Sequence, residues 1–312
     1  MPKEIRSNVV PRDNRQKTAV SFVEATPVLS AEHVIDTMDR SLARWHAQDK
    51  AEAERRAAVI AQEFPDEYNP DVYWNAAANH SFRDFFSWGH DQDFGFGAVR
   101  GGAMGQRHIE IISECLEGGF FPADLSGAKV LDVGCWSGGD ILALSGLGGK
   151  VTAIEEHPKS AASARRLCEL VGCEAEINVG SVYKDRQDWV QQFDLVYASG
   201  VIYHVTDPLL FIRILFAYLK PGGTLVLETK ASPQEDSSCG YSGTLDLGWN
   251  WFAPTREALG RWLVDAGFEP EDVKLKVRTN GRLLSAATKR AAKALPETAG
   301  FSRPDSWLEG KV

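Results

Sequence analysis

Lys129-Val-Leu-Asp-Val-Gly-Cys-Trp-Ser-Gly-Gly139, followed by Val151-Thr-Ala-Ile-Glu155, decides the fold of this chain. A short apolar β-run ends in a glycine-rich turn, and a helical segment follows. A second β-run then ends in an acid about 20 residues beyond the first glycine, the layout of a nucleotide-binding βαβ unit. Gly134 suits a tight turn and lets a ligand approach the backbone, while Glu155 ends its strand with a carboxylate matched to two ribose hydroxyls. A ligand is expected across the carboxyl ends of the strands.

The form of the turn narrows the ligand. A dinucleotide site asks for Gly-x-Gly-x-x-Gly with a small middle residue, so that the pyrophosphate can sit on helix N-terminal amides. Trp136 holds that middle position here. No Lys-Ser or Lys-Thr follows the glycines, which excludes a P-loop. An adenosine ligand without phosphates remains, and here the sequence resembles the class I S-adenosylmethionine-dependent methyltransferases. Their acid-x-Gly-x-Gly-x-Gly motif is matched by Asp132, Gly134 and Gly138, with Trp136 as the departure.

The resemblance runs in register over about residues 127–290. It implies S-adenosyl-L-methionine as cofactor, with Asp132, Gly134, Cys135, Trp136 and Gly138 around its methionine end and Glu155 on the ribose. The segment Ile177–Ser181 would approach the adenine, although the family more often has an acid where Ser181 stands. Phe193-Asp-Leu-Val-Tyr-Ala-Ser-Gly-Val-Ile-Tyr-His204 looks like the family's fourth strand and the loop after it. Ser199 and Gly200 would then border the cofactor, and Tyr203 and His204 would face the transferring methyl or the acceptor. Leu219-Lys-Pro-Gly-Gly223 and Thr224–Thr229 resemble the turn and fifth strand that follow.

A narrower likeness rests on Gly134–Gly138, Gly200–His204, Leu225–Thr229 and Trp251-Phe-Ala-Pro-Thr255. It is to the branch holding the tRNA wobble-uridine 5-carboxymethoxy-forming transferases and their small-molecule relatives. That branch has a Trp-x-His segment before the first strand, which makes Trp88 and His90 candidates for the substrate site, with Arg107 and His108 after them. It also implies a loop reaching back over the acceptor through Trp249, Trp251 and Phe252. His90-Asp-Gln-Asp93 lacks the partner set of a metal site and reads as solvated loop charge.

The strands expected are 129–133, 150–155, 175–179, 193–199, 224–229, 273–278 and 283–288, the last two joined by the two-residue hairpin signal Asn280-Gly281. The fold class is therefore α/β. The resemblance implies a Rossmann-like seven-stranded sheet, parallel with an antiparallel edge hairpin. An N-terminal helical and aromatic-loop extension precedes it. Residues 1–27 read as a mobile tail, 28–126 as the extension, 127–293 as the methyltransferase domain and 294–312 as a C-terminal tail. Ser30 is a candidate N-cap, and Val34, Met38, Leu42 and Trp45 recur at helical spacing, so residues 31–63 are expected to form one or two amphipathic helices. Their apolar stripe suits the core or a homodimer contact. Phe82, Phe85, Phe86, Trp88, Phe94 and Phe96, interleaved with glycines, fit either a lid over the site or an aromatic cluster packing the extension on the sheet.

Of 312 residues, 44% are hydrophobic and the net charge is −9. Such a chain buries a sizeable core, and it carries neither an apolar run long enough for a membrane span nor a secretory h-region; a cytoplasmic location is expected. The 5 cysteines form no Cys-x-x-Cys pair, which argues against a structural metal or a disulfide framework. Acidity counts against nucleic acid unless basic residues gather on one face. Lys274, Lys276, Arg278, Arg282, Lys289, Arg290 and Lys293 do gather, but Val273, Leu275 and Val277 alternate with the lysines, as in a half-buried strand with a basic face. The leading expectation is methyl transfer to a small polar metabolite at O, N or S. The alternatives are tRNA wobble-uridine (carboxy)methyl transfer and a cofactor-binding scaffold whose catalytic loop has decayed.

Overall fold

The computed structural model describes residues 21–63, 90–96, 99–100, 105–184, 186–243 and 250–290. Trp88, Trp249, Lys293 and most of the aromatic loop lie outside them. The N-terminal part gives β1 (Val23–Glu24), α1 (Ala31–Ala43), α2 (Lys50–Glu63), the short pair β2 (Gln92–Asp93) and β3 (Val99–Arg100), and α3 (Arg107–Glu117). The alternating part follows as β4 (Lys129–Val133), α4 (Gly139–Gly146), β5 (Lys150–Glu155), α5 (Pro158–Val171), β6 (Glu176–Val179), β7 (Phe193–Ser199), α6 (Pro208–Tyr218) and β8 (Leu219–Thr229). It closes with β9 (Cys239–Tyr241), β10 (Phe252–Pro254), α7 (Arg256–Asp265), β11 (Val273–Val277) and β12 (Leu283–Thr288).

The main sheet runs β1-β11-β12-β8-β7-β4-β5-β6. From β8 to β6 all neighbours are parallel, and β12 is antiparallel to both β8 and β11. The sheet has 8 strands, not the seven expected. The extra one is β1, too short to show as a hydrophobic alternation, which pairs Val23 with Lys274 and Glu24 with Leu275 and so covers the hairpin's outer edge. β8 also starts earlier than expected, because Leu219-Lys-Pro-Gly-Gly223 continues the strand past an irregularity opposite Phe193 and Leu195.

Each central strand is buried on both faces, as the continuous apolar runs require. Successive residues divide the core: Val130, Tyr197 and Val226 join one cluster, and Leu131, Val196 and Leu225 join the other. The first cluster is completed by α3, α4, α5 and by Val34 and Met38 of α1; the second by α6 and α7. Residues 31–63 form two helices, and Ser30 caps the first by accepting from the His33 N–H at 3.2 Å. The N-terminal segment is fastened to α4, since Ser41 Oγ donates to the Ala143 carbonyl (3.0 Å) and Trp45 Nε1 to that of Leu142 (2.8 Å). Phe94 is buried in the first cluster, whereas Phe96 is exposed.

Candidate active site

The carboxyl ends of β4, β5, β7 and β8 open into a cleft of about 440 Å³, which Arg107 and His108 of α3 also line. The turn after β4 is shaped for close approach. Gly134 has φ +76°, and a Cβ there would meet Val201 Cγ2 at 2.5 Å; Gly138 has φ +92°, with Ala164 only 3.1 Å from where its Cβ would stand. Trp136, the departure from the glycine pattern, keeps the left-handed backbone of a glycine (φ 47°). That conformation costs an L-residue roughly 1–2 kcal/mol, strain of the kind found at functional sites. The indole lines the cleft, and the backbone N–H of the same residue donates to Glu155 Oε2 at 2.9 Å.

The His157 N–H donates to the other carboxylate oxygen, Oε1, at 2.8 Å. Glu155 is thus held by one amide on each oxygen, with lone pairs left on both for a pair of vicinal hydroxyls. Burial pushes its carboxyl above the usual range, opposed by these two amide bonds. At the other end of the turn, Asp140 in the first turn of α4 lines the cleft with a buried oxygen, Oδ1, that has no hydrogen-bond partner. Burial pushes its pKa up to about 7. A carboxylate with one unpartnered oxygen at one end and a carboxylate with free lone pairs at the other fit a ligand with an ammonium and a ribose, as S-adenosylmethionine has.

The structure places Gly134, Trp136, Glu155, Ser181, Ser199, Gly200, Tyr203 and His204 on this cleft, together with His90 and Arg107. Three expected cofactor residues do not line it. Asp132 is buried beneath it, 1% exposed, with Oδ2 unpartnered. Cys135 turns into the hydrophobic core, and Gly138 backs onto Ala164 of α5. Nor do Trp251 and Phe252: the Trp251 N–H holds the Tyr203 carbonyl at 2.7 Å, and Phe252 pairs with Tyr241 across β10 and β9. Trp251 thereby seats the Tyr203 loop from behind.

His90 is not solvated loop charge. It is 7% exposed and stacks on His108, ring centroids 4.3 Å apart, with its edge toward Trp136. Burial pushes His108 down to about 3 and His90 well below the usual range, so both rings are neutral at physiological pH. His108, named with Arg107 from the sequence, lines the cleft as well, whereas sequence reasoning missed Asp140, Glu228, Lys230 and Arg282, all on the cleft. Glu228 lies at the end of β8 and Lys230 just beyond it, and Arg282 follows the Asn280-Gly281 turn; the antiparallel register of that hairpin on β8 is the signal that would have found them. Glu228, 1% exposed, is bonded by Arg282 through Nε and through Nη2 (2.7 Å) and lies 3.3 Å from Nη1 of Arg278, which also binds Glu114. The Arg282 guanidinium sits 5.0 Å over the Tyr203 ring.

A family model described as a methyltransferase domain matches residues 106–273, more than half of the chain. The chain belongs to that family, the class I S-adenosylmethionine-dependent methyltransferases, and its cofactor is S-adenosylmethionine. It is 30% identical over 151 residues to the tRNA U34 carboxymethyltransferase of Idiomarina loihiensis, covering 47% of each chain. It is 32% identical over 181 residues to the ubiquinone biosynthesis O-methyltransferase of Xanthomonas euvesicatoria pv. vesicatoria, covering 55% of this chain and 72% of that one. Among solved structures it resembles Haemonchus contortus phosphoethanolamine N-methyltransferase 2 in complex with S-adenosyl-L-methionine, at 16% identity and TM-score 0.49, over 61% of this chain and 53% of that one. The chain spans about half the length of most of the curated relatives it matches. No helix among the described residues is long and apolar enough to cross a membrane.

Proposed function

We propose that this protein transfers the methyl group of S-adenosylmethionine to a small polar metabolite at O, N or S, with His90 and the start of α3 closing one side of the cleft. The observation that carries the reading is one cleft that joins Glu155, at the expected ribose end, to Tyr203, His204 and Arg107, among side chains of both parts of the chain. S-adenosylmethionine supplies an electrophilic methyl on a sulfonium. The acceptor atom forms the new bond as the C–S bond breaks, its electrons return to sulfur, and a protonated acceptor gives up its proton. Glu155 and the Gly134 turn fix the donor, and the Tyr203–His204 loop lines the acceptor's side, so that alignment supplies most of the acceleration. His204, on the cleft beside Tyr203, is our candidate to take the proton where one must leave.

The basic C-terminal residues support a small acceptor over tRNA. Lys274 donates to the Gly118 and Gly119 carbonyls, Lys276 pairs with Glu114 and Glu117, Arg290 pairs with Glu271 and Asp272, and Lys289 is buried against the Phe216 and Leu219 carbonyls. A face neutralised from within has little charge to spend on phosphates. The same reading leaves the N-terminal helices as a self-association surface, where Ile35 is 59% exposed.

The test supplies methyl-labelled S-adenosylmethionine to the purified protein and an extract divided into RNA, protein and small-metabolite pools. Label in the metabolite pool is expected; label in RNA would move the function to tRNA modification, and cofactor binding without label in any pool would leave a scaffold. Tyr203→Phe and His204→Ala are expected to lower turnover while the affinity for S-adenosylmethionine stays near wild type.

A further inference from the structure

Two cations meet at the acceptor end of the cleft in a way the methyl-transfer reading leaves unexplained. The β8–β12 ladder ends with Thr229 opposite Leu283 and Glu228 opposite Leu284. Lys230 follows Thr229 and Arg282 precedes Leu283, so the two stand just past the end of the ladder, where continued register would face them across it at roughly 4.5–5.5 Å between Cβ atoms. Both residues line the cleft. Like charges directly opposite each other are unfavourable, and an anion bound between them relieves the repulsion.

The protein supplies an anion to only one of the two. Arg282 gives its Nε and Nη2 to Glu228, and the second arginine on Glu228, Arg278, is matched by Glu114. Those two arginines and two carboxylates cancel. Lys230 is exposed, and its ammonium makes no ion pair among the described residues. Arg107 from α3 adds a third cation to the lining. The Nη1 of Arg282 takes no part in either bond to Glu228. The floor beneath this corner is the ring of Tyr203, on the loop that faces the transferring methyl.

We propose that the methyl acceptor is an anion whose carboxylate or phosphate group is held between Lys230 and Arg282 above Tyr203. The inference rests on the methyl-transfer reading and adds the acceptor's charge to it. The anionic group is the handle that orients the acceptor, and a fixed cationic corner in a partly closed site holds such a group better than an exposed surface does.

The experiment divides the small-metabolite pool on an anion-exchange resin and follows methyl label into the retained and unretained fractions, with wild type and Lys230→Gln in parallel. Label in the retained fraction is expected, with Lys230→Gln raising the acceptor KM about tenfold. S-adenosylmethionine affinity, read by calorimetry, is expected to stay at its wild-type value. Arg282→Lys, which keeps a charge beside Glu228 but loses the planar fork, is expected to raise KM by a similar factor. Label in the unretained fraction alone would overturn the anionic acceptor and leave small-molecule methyl transfer standing. An unchanged KM in Lys230→Gln would overturn the assignment of the corner. Label in RNA, or in no pool while the cofactor still binds, would overturn both readings. A wild-type preference for S-adenosylmethionine carboxylated on its transferring methyl, lost in Lys230→Gln, would place the anion on the donor and overturn the acceptor assignment.

Discussion

Replacing Glu155 with glutamine changes one oxygen of the side chain to NH2 and leaves its size alone. In the wild type each oxygen accepts one backbone amide, from Trp136 at 2.9 Å and from His157 at 2.8 Å, and each keeps a lone pair for a ribose hydroxyl. Glutamine keeps one acceptor atom. One ribose hydroxyl then loses a charge-assisted bond outright, and the other keeps a neutral one. With charge-assisted bonds at about 1.5–3 kcal/mol and neutral ones near half that, the loss is about 2–4 kcal/mol, or about 30- to 700-fold in Kd. The new NH2 must also face the Trp136 or His157 amide, donor against donor, and should cost about 1–2 kcal/mol of folding stability. Isothermal calorimetry with S-adenosylmethionine reads the first quantity and urea unfolding the second. Affinity within about threefold of wild type would refute the ribose assignment, because that corresponds to less than about 1 kcal/mol.

Asp140→Asn removes a carboxyl whose pKa burial raises to about 7. A raised carboxyl favours the folded state while protonated and loses that contribution as pH rises through about 4 to 7. The Tm advantage of the variant is therefore expected to be small at acid pH and to grow toward pH 8, while its affinity for S-adenosylmethionine falls about tenfold from loss of the ammonium partner, by calorimetry. Arg278→Met strips one of two cations from buried Glu228 and should cost about 3–5 kcal/mol in urea unfolding; a loss under about 1 kcal/mol would mean that Arg282 suffices alone. Gly138→Ala forces an L-residue to φ +92° with Ala164 at 3.1 Å, for an expected loss of about 2–3 kcal/mol.

The alternating core was legible because its physics is local. Each of β4, β5 and β7 is buried on both faces, so its sequence is a continuous apolar run, and Glu155 shows as the acid that ends one. Trp136 was legible as a departure from the glycine pattern but not as a residue held at positive φ, because strain of that kind is enforced by surroundings the motif does not contain. β1 escaped because two residues make no period. The acceptor corner escaped for another reason: Glu228, Lys230 and Arg282 come from strands about 50 residues apart in sequence, and only antiparallel register brings them together. The basic C-terminal stretch read as a charged face, yet its partners Glu114, Glu117 and Gly118 lie on or beside α3, more than 150 residues earlier.

The fastening of α1 onto α4 sets the unit that can be exchanged between relatives. Gly146 leaves no room for a side chain against Ser41, and the Ala143 and Leu142 carbonyls spend hydrogen-bonding capacity on Ser41 and Trp45 instead of solvent. A graft that took only residues 127–293 would carry α4 with its receiving groove open and two carbonyls stripped of their side-chain donors, the Ala143 carbonyl keeping only the Leu147 N–H. A working chimera must bring Ser41 and Trp45 with Gly146, so recombination between this chain and a relative is expected to succeed at a junction before α1 and to fail at one between α3 and β4.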